Sequence, residues 1–228
     1  MAGLALEVVP TVSAQQMREI DDLVISYGLS LEQMMENAGR NLAQHVIETY
    51  HPESVSVLVG PGHNGGGGLV AARHLANRGV HVELCLARGD VAPVTARQLA
   101  LDRRIGVVEV DAPSTSAMVI DALLGYSLSG EPRGRVADLI DWTRSQASPV
   151  VSLDVPSGLD ATSGHFTRCV RAHSTLTLAL PKMGLVRAAR VAGEIYLADI
   201  SIPRRAYEAL GLDVPDLFAT SPIVHLTR

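Results

Sequence analysis

A glycine-rich segment directly after a short β-branched run constrains the fold of this chain more than any other feature. Residues 54–59 (SVSVLV) end at Gly60, and five more glycines lie between positions 61 and 68. Residues 69–78 then show helical spacing of apolar side chains, so the sequence predicts a strand, a tight glycine loop and a helix. Exposed N–H groups at a helix N-terminus attract anions. The loop therefore predicts a phosphate or pyrophosphate site, with a simple flexible turn as the alternative.

The same alternation of strand and helix continues on both sides of this loop. We predict N-terminal helices within residues 14–48, with Ser13 and Ser30 as their N-caps. Strands at 80–86, 106–110, 117–124 and 149–153 alternate with helices at 92–101 and 136–146. Strands at 174–180 and 193–200 are expected at one edge of the sheet, and a tail at 203–228 contains a helix at 205–210. The order predicts an α/β fold with a mostly parallel central sheet.

Composition narrows the possible classes of protein. The 228 residues are 47% hydrophobic and 19% charged, which is typical of one packed domain spanning residues 1–228. A net charge of -5 disfavours nucleic acid and anionic membranes as partners, and we find no apolar run long enough to cross a bilayer. The two cysteines, Cys85 and Cys169, do not form a disulfide or metal-cluster pattern, so we expect a reducing, cytoplasmic location.

Polar residues follow three predicted strands, at the edge where parallel sheets bind ligands. The first group is the glycine loop with His63 and Asn64. The second begins with Asp121 and continues into a Gly/Ser-rich stretch, and the third contains Asp154 and Ser157. Carboxylate, amide and hydroxyl oxygens beside an anion suit either a hard cation or a proton-transfer pair. Spacing alone leaves both possibilities open.

Several motifs in the same order resemble one known family. They are SAQQMREID at 13–21, LEQMMENAG at 31–39, the glycine loop leading into LVAARHL at 69–75, DALLG at 121–125, DVPSGLD at 154–160 and LPKMG at 180–184. Together they resemble the YjeF N-terminal domain of NAD(P)H-hydrate epimerases, also known as apolipoprotein A-I binding protein, over about residues 13–202.

The resemblance implies a three-layer α/β/α Rossmann-like fold and a homodimer. It also implies an enzyme that interconverts the R and S epimers of hydrated NADH and NADPH (NADHX and NADPHX) for an NAD(P)HX dehydratase, which we expect to be a separate protein unless this chain is part of a longer one. By position, one potassium ion per subunit would be bound by Asn64, Asp121 and Ser157. The matching ligand-binding residues are His63, Asn64, Gly65, Gly66, Gly67, Gly125, Tyr126, Ser127, Leu128, Ser129, Gly130, Glu131 and Asp154.

Epimerisation needs one group to protonate the leaving hydroxyl and another to direct water to the opposite face. Asp154 and Glu131 are the candidates for these catalytic roles. The family loop normally reads GxGNNGGDG, whereas His63 and Gly67 here replace an Asn and an Asp. The lost carboxylate gives two alternatives: a catalytically silent relative that binds a nucleotide or a protein, and an enzyme repurposed for another small metabolite.

Overall fold

The computed structural model describes residues 3–128 and 130–227, which contain one nine-stranded sheet and eight α-helices within that part of the chain. The strands are β1 (Leu4–Ala5), β2 (Ser54–Val59), β3 (His81–Leu86), β4 (Val108–Glu109), β5 (Met118–Ala122), β6 (Val150–Leu153), β7 (Ser174–Leu178), β8 (Glu194–Ala198) and β9 (Ile223–Thr227). The helices are α1 (Ala14–Ser26), α2 (Leu31–Tyr50), α3 (His63–Ala76), α4 (Pro93–Arg104), α5 (Gly134–Arg144), α6 (Met183–Arg187), α7 (Ala189–Ala192) and α8 (Arg204–Ala209).

The sheet has the order β1-β9-β8-β7-β6-β5-β2-β3-β4. Every pairing is parallel except that of β8 with β9, so the prediction of a mostly parallel α/β sheet is confirmed. The chain moves outward through β3 and β4 on one side of β2, and through β5 to β8 on the other. The strand order therefore reverses between β2 and β5, which is where open α/β sheets form their ligand crevice.

Helices cover both faces of the sheet. Leu42 of α2 and Leu69 of α3 pack with Val57 and Ile120 on one face, whereas Ile140 of α5 packs with Val119 on the other. Helices α1 and α8 enclose a further cluster beside β8. Burial of these apolar side chains is the main stabilising contribution to the fold. No helix in the described ranges is long and apolar enough to cross a membrane.

Both predicted N-caps are confirmed. The Ser13 hydroxyl accepts the Gln16 N–H while the Gln16 side chain accepts the Ser13 N–H, and Ser30 forms the same reciprocal capping box with Gln33. The two helices that these caps start, α1 and α2, occupy the segment in which N-terminal helices were predicted.

The structure corrects three predicted elements. Helix α3 begins at His63 rather than at position 69, so four of the glycines are helical and not a loop. Residues 223–227 of the predicted irregular tail form β9, which pairs antiparallel with β8, and β1 pairs with β9 in turn. Strands β7 and β8 therefore lie inside the sheet and not at its edge, because the chain termini add two strands beyond them.

Candidate functional site

A cavity of about 610 Å³ opens at the carboxyl edge of the sheet, at the point where the strand order reverses. Its wall combines residues after β2, β5 and β6 with the start of α3 and one face of α1 and α2. Apolar side chains such as Met34 and Leu123 form much of the lining, and a few charged groups converge among them, as is typical of small-molecule sites. The charged residues of the lining are Arg18, Asp21, Asp154 and Lys182.

Glycines bring the start of α3 close to the strand ends. A Cβ at Gly60 would lie 1.6 Å from the Leu123 carbonyl oxygen, and one at Gly65 would lie 2.0 Å from the Gly60 oxygen. Both contacts involve backbone, so no side chain fits at either position. The N-terminus of α3, with its free N–H groups and positive dipole end, is thereby fixed beside the cavity.

Gly67 forms part of the cavity wall one turn into α3. A Cβ there would lie 2.7 Å from Leu153 Cδ2, the end of a flexible side chain. The neighbouring Gly66 is not part of the lining, and a Cβ there would meet the Met35 side chain at 2.5 Å. Gly67, one of the two positions at which the sequence departs from the family motif, therefore shapes the cavity.

Asp154 and Lys182 form a buried ion pair that faces the cavity. Lys182 Nζ lies 2.5 Å from Asp154 Oδ1, and the two side chains are only 1% and 4% exposed. Lys182 also donates to the Leu178 carbonyl oxygen at 2.8 Å, and the Tyr126 N–H donates to Asp154 Oδ2 at 3.0 Å. Asp154 has a left-handed backbone with φ of 69°, which is uncommon outside glycine and frequent at functional sites.

Asp21 and Tyr126 form a second polar pair in the lining of the cavity. The Tyr126 hydroxyl donates to Asp21 Oδ2 at 2.6 Å. Burial raises the pKa of Asp21, and the Tyr126 hydrogen bond partly opposes this rise. Burial and the nearby Asp21 carboxylate raise the pKa of the Tyr126 phenol as well, so the phenol is the hydrogen-bond donor at neutral pH.

Asp121 lies at the end of β5 and is fully buried behind the cavity lining. Its carboxylate accepts hydrogen bonds from the Ser152 and Ser157 hydroxyls at 2.8 and 2.5 Å, and from the backbone N–H of Ser157 and Leu123. All of these donors are neutral, and Asp121 has no ion pair among residues 3–128 and 130–227. Burial raises the pKa of Asp121, whereas its hydrogen bonds oppose that rise.

The donor atoms around Asp121 suit a hard monovalent cation. A buried carboxylate without a cationic partner lies beside the Ser157 hydroxyl, and the Ser157 Oγ is 3.3 Å from the Leu124 carbonyl oxygen. Asn64 lies near this loop, since a Cβ added at Gly125 would be 3.4 Å from its side chain. The Asn64 amide donates to the Leu153 carbonyl oxygen, and among the described residues it has no hydrogen bond to Asp121. Groups of three or more His, Cys, Asp or Glu that could hold a metal do not occur in the described part of the chain.

The family model described as YjeF-related protein N-terminus matches residues 31–184, which is more than half of the chain. The chain belongs to this family.

Individual YjeF relatives extend the match beyond those residues. A protein of Dehalogenimonas lykanthroporepellens named NAD(P)H-hydrate epimerase is 47% identical over 217 residues, covering 90% of this chain and 88% of the relative. A Plasmodium vivax protein of the same name is 33% identical, covering 87% and 71%. A bifunctional NAD(P)H-hydrate repair enzyme of Archaeoglobus fulgidus is 34% identical over 84% of this chain, which spans 42% of that relative.

A solved structure supports the YjeF-type fold. The crystal structure of yeast ynu0 superimposes with a TM-score of 0.84 at 24% identity, covering 96% of this chain and 100% of that one. At this level of identity the likeness concerns the fold. It agrees with the predicted α/β/α Rossmann-like arrangement, in which helices flank a mostly parallel sheet.

The predicted ligand residues of this YjeF chain divide into three groups. The cavity wall includes His63, Asn64, Gly67, Gly125, Tyr126, Ser127, Leu128 and Asp154. Gly65 and Gly66 are buried in α3 behind the wall, and Gly130 and Glu131 are exposed and outside the lining. Ser129 lies outside the described residues.

Sequence reasoning missed three charged residues of the cavity, Arg18, Asp21 and Lys182. Lys182 is the only lysine in the chain, and it follows the strand next to the one that Asp154 follows, so its position at the sheet edge was a usable signal. Asp21 gave no such signal, because α1 reaches the cavity only through tertiary packing.

Proposed function

We propose that this chain is an NAD(P)H-hydrate epimerase, an isomerase that interconverts the R and S epimers of NADHX and NADPHX. The observation that carries the proposal is the buried Asp154–Lys182 pair facing a cavity at the switch point of the sheet. The 47% identical relative of that name, aligned over 88% of its length, supports the same reaction. Such a cavity accommodates the hydrated nicotinamide ring, and its charged groups can exchange protons with that ring.

The nucleotide part of the substrate binds at the start of α3 in this proposal. The N–H groups at His63 and Asn64 and the dipole of a 14-residue helix favour the pyrophosphate. His63 is exposed and lines the cavity, where its ring can contact a phosphate. The residues between Gly125 and Leu128 close the other side of the same space.

Asp154 is the proposed catalytic carboxylate at the reacting carbon. Lys182 pairs with it and, together with the Tyr126 N–H, fixes its orientation. An ionised, oriented carboxylate can position water and accept its proton as that water adds to the ring. Glu131, the other catalytic carboxylate predicted from sequence, stays a candidate for the acid role, although it is exposed and outside the cavity lining.

One potassium ion per subunit is part of the proposal, bound by Asn64, Asp121 and Ser157. The support for it is the buried Asp121 carboxylate, which has only neutral hydrogen-bond donors, and the Ser157 hydroxyl that contacts it. When bound, the ion neutralises this carboxylate and holds together the loops that follow β2, β5 and β6. The chemistry at the substrate remains with the residues of the cavity.

The oligomeric state, the cellular location and the coupled enzyme are also proposed from family membership. We expect a homodimer in the cytoplasm, and two buried free cysteines are consistent with a reducing compartment. The epimerase would supply one epimer to an NAD(P)HX dehydratase. Support for this coupling comes from the bifunctional repair enzymes, of which the chain spans about two fifths.

Conversion of purified R-NADHX to the S epimer in potassium buffer tests the proposed function. The chain should equilibrate the epimers far faster than the protein-free control. If R-NADHX and R-NADPHX raise the melting temperature but are not converted, the chain is a catalytically silent relative that binds the nucleotide. If neither compound is bound or converted, the chain acts on a different metabolite.

A further inference from the structure

Asp21 shares the cavity with Asp154, and one residue contacts both carboxylates. The Tyr126 hydroxyl donates to Asp21 Oδ2 at 2.6 Å, while its backbone N–H donates to Asp154 Oδ2 at 3.0 Å. Asp21, Tyr126 and Asp154 all line the cavity. Tyr126 therefore links the two carboxylates within one small-molecule site.

The two carboxylates have different polar partners. Asp154 is 2.5 Å from the Lys182 ammonium, whereas Asp21 has no ion pair within the described ranges. Burial raises the pKa of Asp21 above its ordinary value, which favours the protonated form of that carboxyl. The charged and titratable groups near Asp21 are Arg18 and Asp22 on its own helix, Tyr126, Asp154 and Lys182 of the same cavity region, and Tyr207 of α8. Paired groups with such contrasting environments are the usual signature of acid and base partners.

We propose that Asp21 is the second catalytic carboxylate of the epimerase, exchanging a proton with the substrate hydroxyl on the face of the ring opposite Asp154. This inference rests on the proposed function and gives Asp21 the acid role for which Glu131 is the sequence-based alternative. Tyr126 is the positioning residue, since it orients Asp21 and stabilises its carboxylate form through the phenol hydrogen bond.

The proton balance of the reaction follows directly. When the substrate hydroxyl lies on the Asp21 side of the ring, the Asp21 carboxylic acid gives its proton to that hydroxyl. The bond between the hydrated ring carbon and this oxygen breaks, and water leaves. The lone pair of the ring nitrogen forms a C=N bond to the same carbon. A water on the other face then adds to this carbon, the π pair returns to nitrogen, and Asp154 takes the proton that the water loses. Exchange with solvent restores the starting protonation states, and the reverse reaction uses the same groups in opposite roles.

The Asp21→Asn variant is the direct test of this role. The amide keeps the size of the side chain and can still accept the Tyr126 hydrogen bond, but it cannot transfer a proton. General acid-base catalysis contributes about 10²–10⁴-fold, so kcat should fall by at least ~100-fold in both directions while KM changes only a few-fold. Asp22→Asn is the matched control, because Asp22 is exposed on the same helix and outside the cavity lining.

Tyr126→Phe provides a readout that a purely structural role would not change. Loss of the phenol removes a hydrogen bond that lowers the pKa of Asp21, so the limb of the pH-rate profile that belongs to Asp21 should move to higher pH. This limb should be missing in Asp21→Asn.

The outcomes separate the two proposals. If the wild-type chain converts the epimers and Asp21→Asn does so within a few-fold, the role of Asp21 is wrong and the proposed function stands. Loss of turnover in Glu131→Gln with retention in Asp21→Asn would return the acid role to Glu131. If the wild-type chain binds but does not convert either epimer, the proposed function fails and the catalytic role of Asp21 fails with it.

Discussion

Asp121 and Asp154 end neighbouring parallel strands and are both buried, yet the structure surrounds them differently. Asp121 accepts four hydrogen bonds from neutral serine and backbone donors and lies behind the cavity wall. Asp154 contacts the Lys182 ammonium and faces the cavity. The same sequence pattern, an acid that follows a buried strand, has thus produced two sites of different character.

The difference teaches that the direction of the side chain, more than its position along the strand, determines what such an acid can do. Asp121 is still within β5, where alternation points it to the face covered by α5. Asp154 comes just after β6, and its left-handed backbone turns the side chain toward the cavity. Asp121 is therefore suited to hold loops and an ion, whereas Asp154 is suited to contact a substrate.

Replacing Lys182, whose ammonium pairs with Asp154, should have the largest effect on stability and activity. Lys182→Met leaves a buried carboxylate without its partner, and breaking a buried pair in this way costs about 3–5 kcal/mol. Chemical denaturation should show that loss, together with loss of epimerase turnover. The double variant Asp154→Asn/Lys182→Met should recover part of the stability and none of the activity. A loss below about 1 kcal/mol in Lys182→Met would mean that the pair does not hold the site together.

Asp121→Asn tests the other side of the comparison. The amide cannot accept all four hydrogen bonds, so buried donors lose partners at a cost of about 1–3 kcal/mol. The wild-type melting temperature should rise more in potassium chloride than in choline chloride of equal ionic strength, and the variant should lose this difference. An unchanged potassium response in the variant would remove Asp121 from the ion site.

Asp102 of α4 sharpens the comparison, because it is a buried carboxylate without an ion pair in the described residues and without a full set of hydrogen-bond donors. Its Oδ2 has no hydrogen bond, and burial raises its pKa from 3.8 to about 7, with Arg73 opposing the rise. Since the folded state holds this proton more tightly, stability should fall as pH rises from about 3.8 to 7. Asp102→Asn should flatten this fall and add about 1–2 kcal/mol at pH 8, because the amide carries no charge but still lacks partners. Parallel pH profiles for the two proteins, by thermal unfolding, would contradict this assignment.

Gly67→Asp should have the smallest effect on stability. A carboxylate in the first turns of α3 is favoured by the helix dipole by about 0.3–1 kcal/mol, while its Cβ displaces the end of the Leu153 side chain. We expect a net change within about 1 kcal/mol and a KM several-fold higher, because the added negative charge lies beside the anion site. Activity that appears only in the variant would mean that the natural chain has left the family's chemistry.

Local patterns in the sequence predicted most of the fold. Ser13 and Ser30 cap the helices expected of them, and six of the central strands follow the alternation of apolar runs with helical patterns. The start of α3 was mispredicted because glycine has a poor helix propensity, which the close packing of residues 65–68 against the strand ends overrides. Strand β9 was missed because its pairing partner is fixed by tertiary packing and not by local pattern.

The candidate site was partly predictable for the same physical reason. Residues after parallel strands share one edge, so Asp121, Asp154 and Asn64 could be placed near one another from the order of elements. Contacts between distant segments could not be placed. The Tyr126 hydroxyl donates a hydrogen bond to Asp21, which is 105 positions away in the sequence, and no local sequence pattern predicts that contact.

Epimer interconversion by Asp154→Asn, measured beside the wild-type chain with R-NADHX in potassium buffer, tests the central claim most directly. Binding is followed in the same samples by the rise of the melting temperature with substrate. The account predicts rapid equilibration by the wild type and a rate lower by about 100-fold or more in a folded variant that still binds. Turnover within a few-fold of wild type in that variant would contradict the assignment of Asp154 and of the cavity as the place where the epimers interconvert.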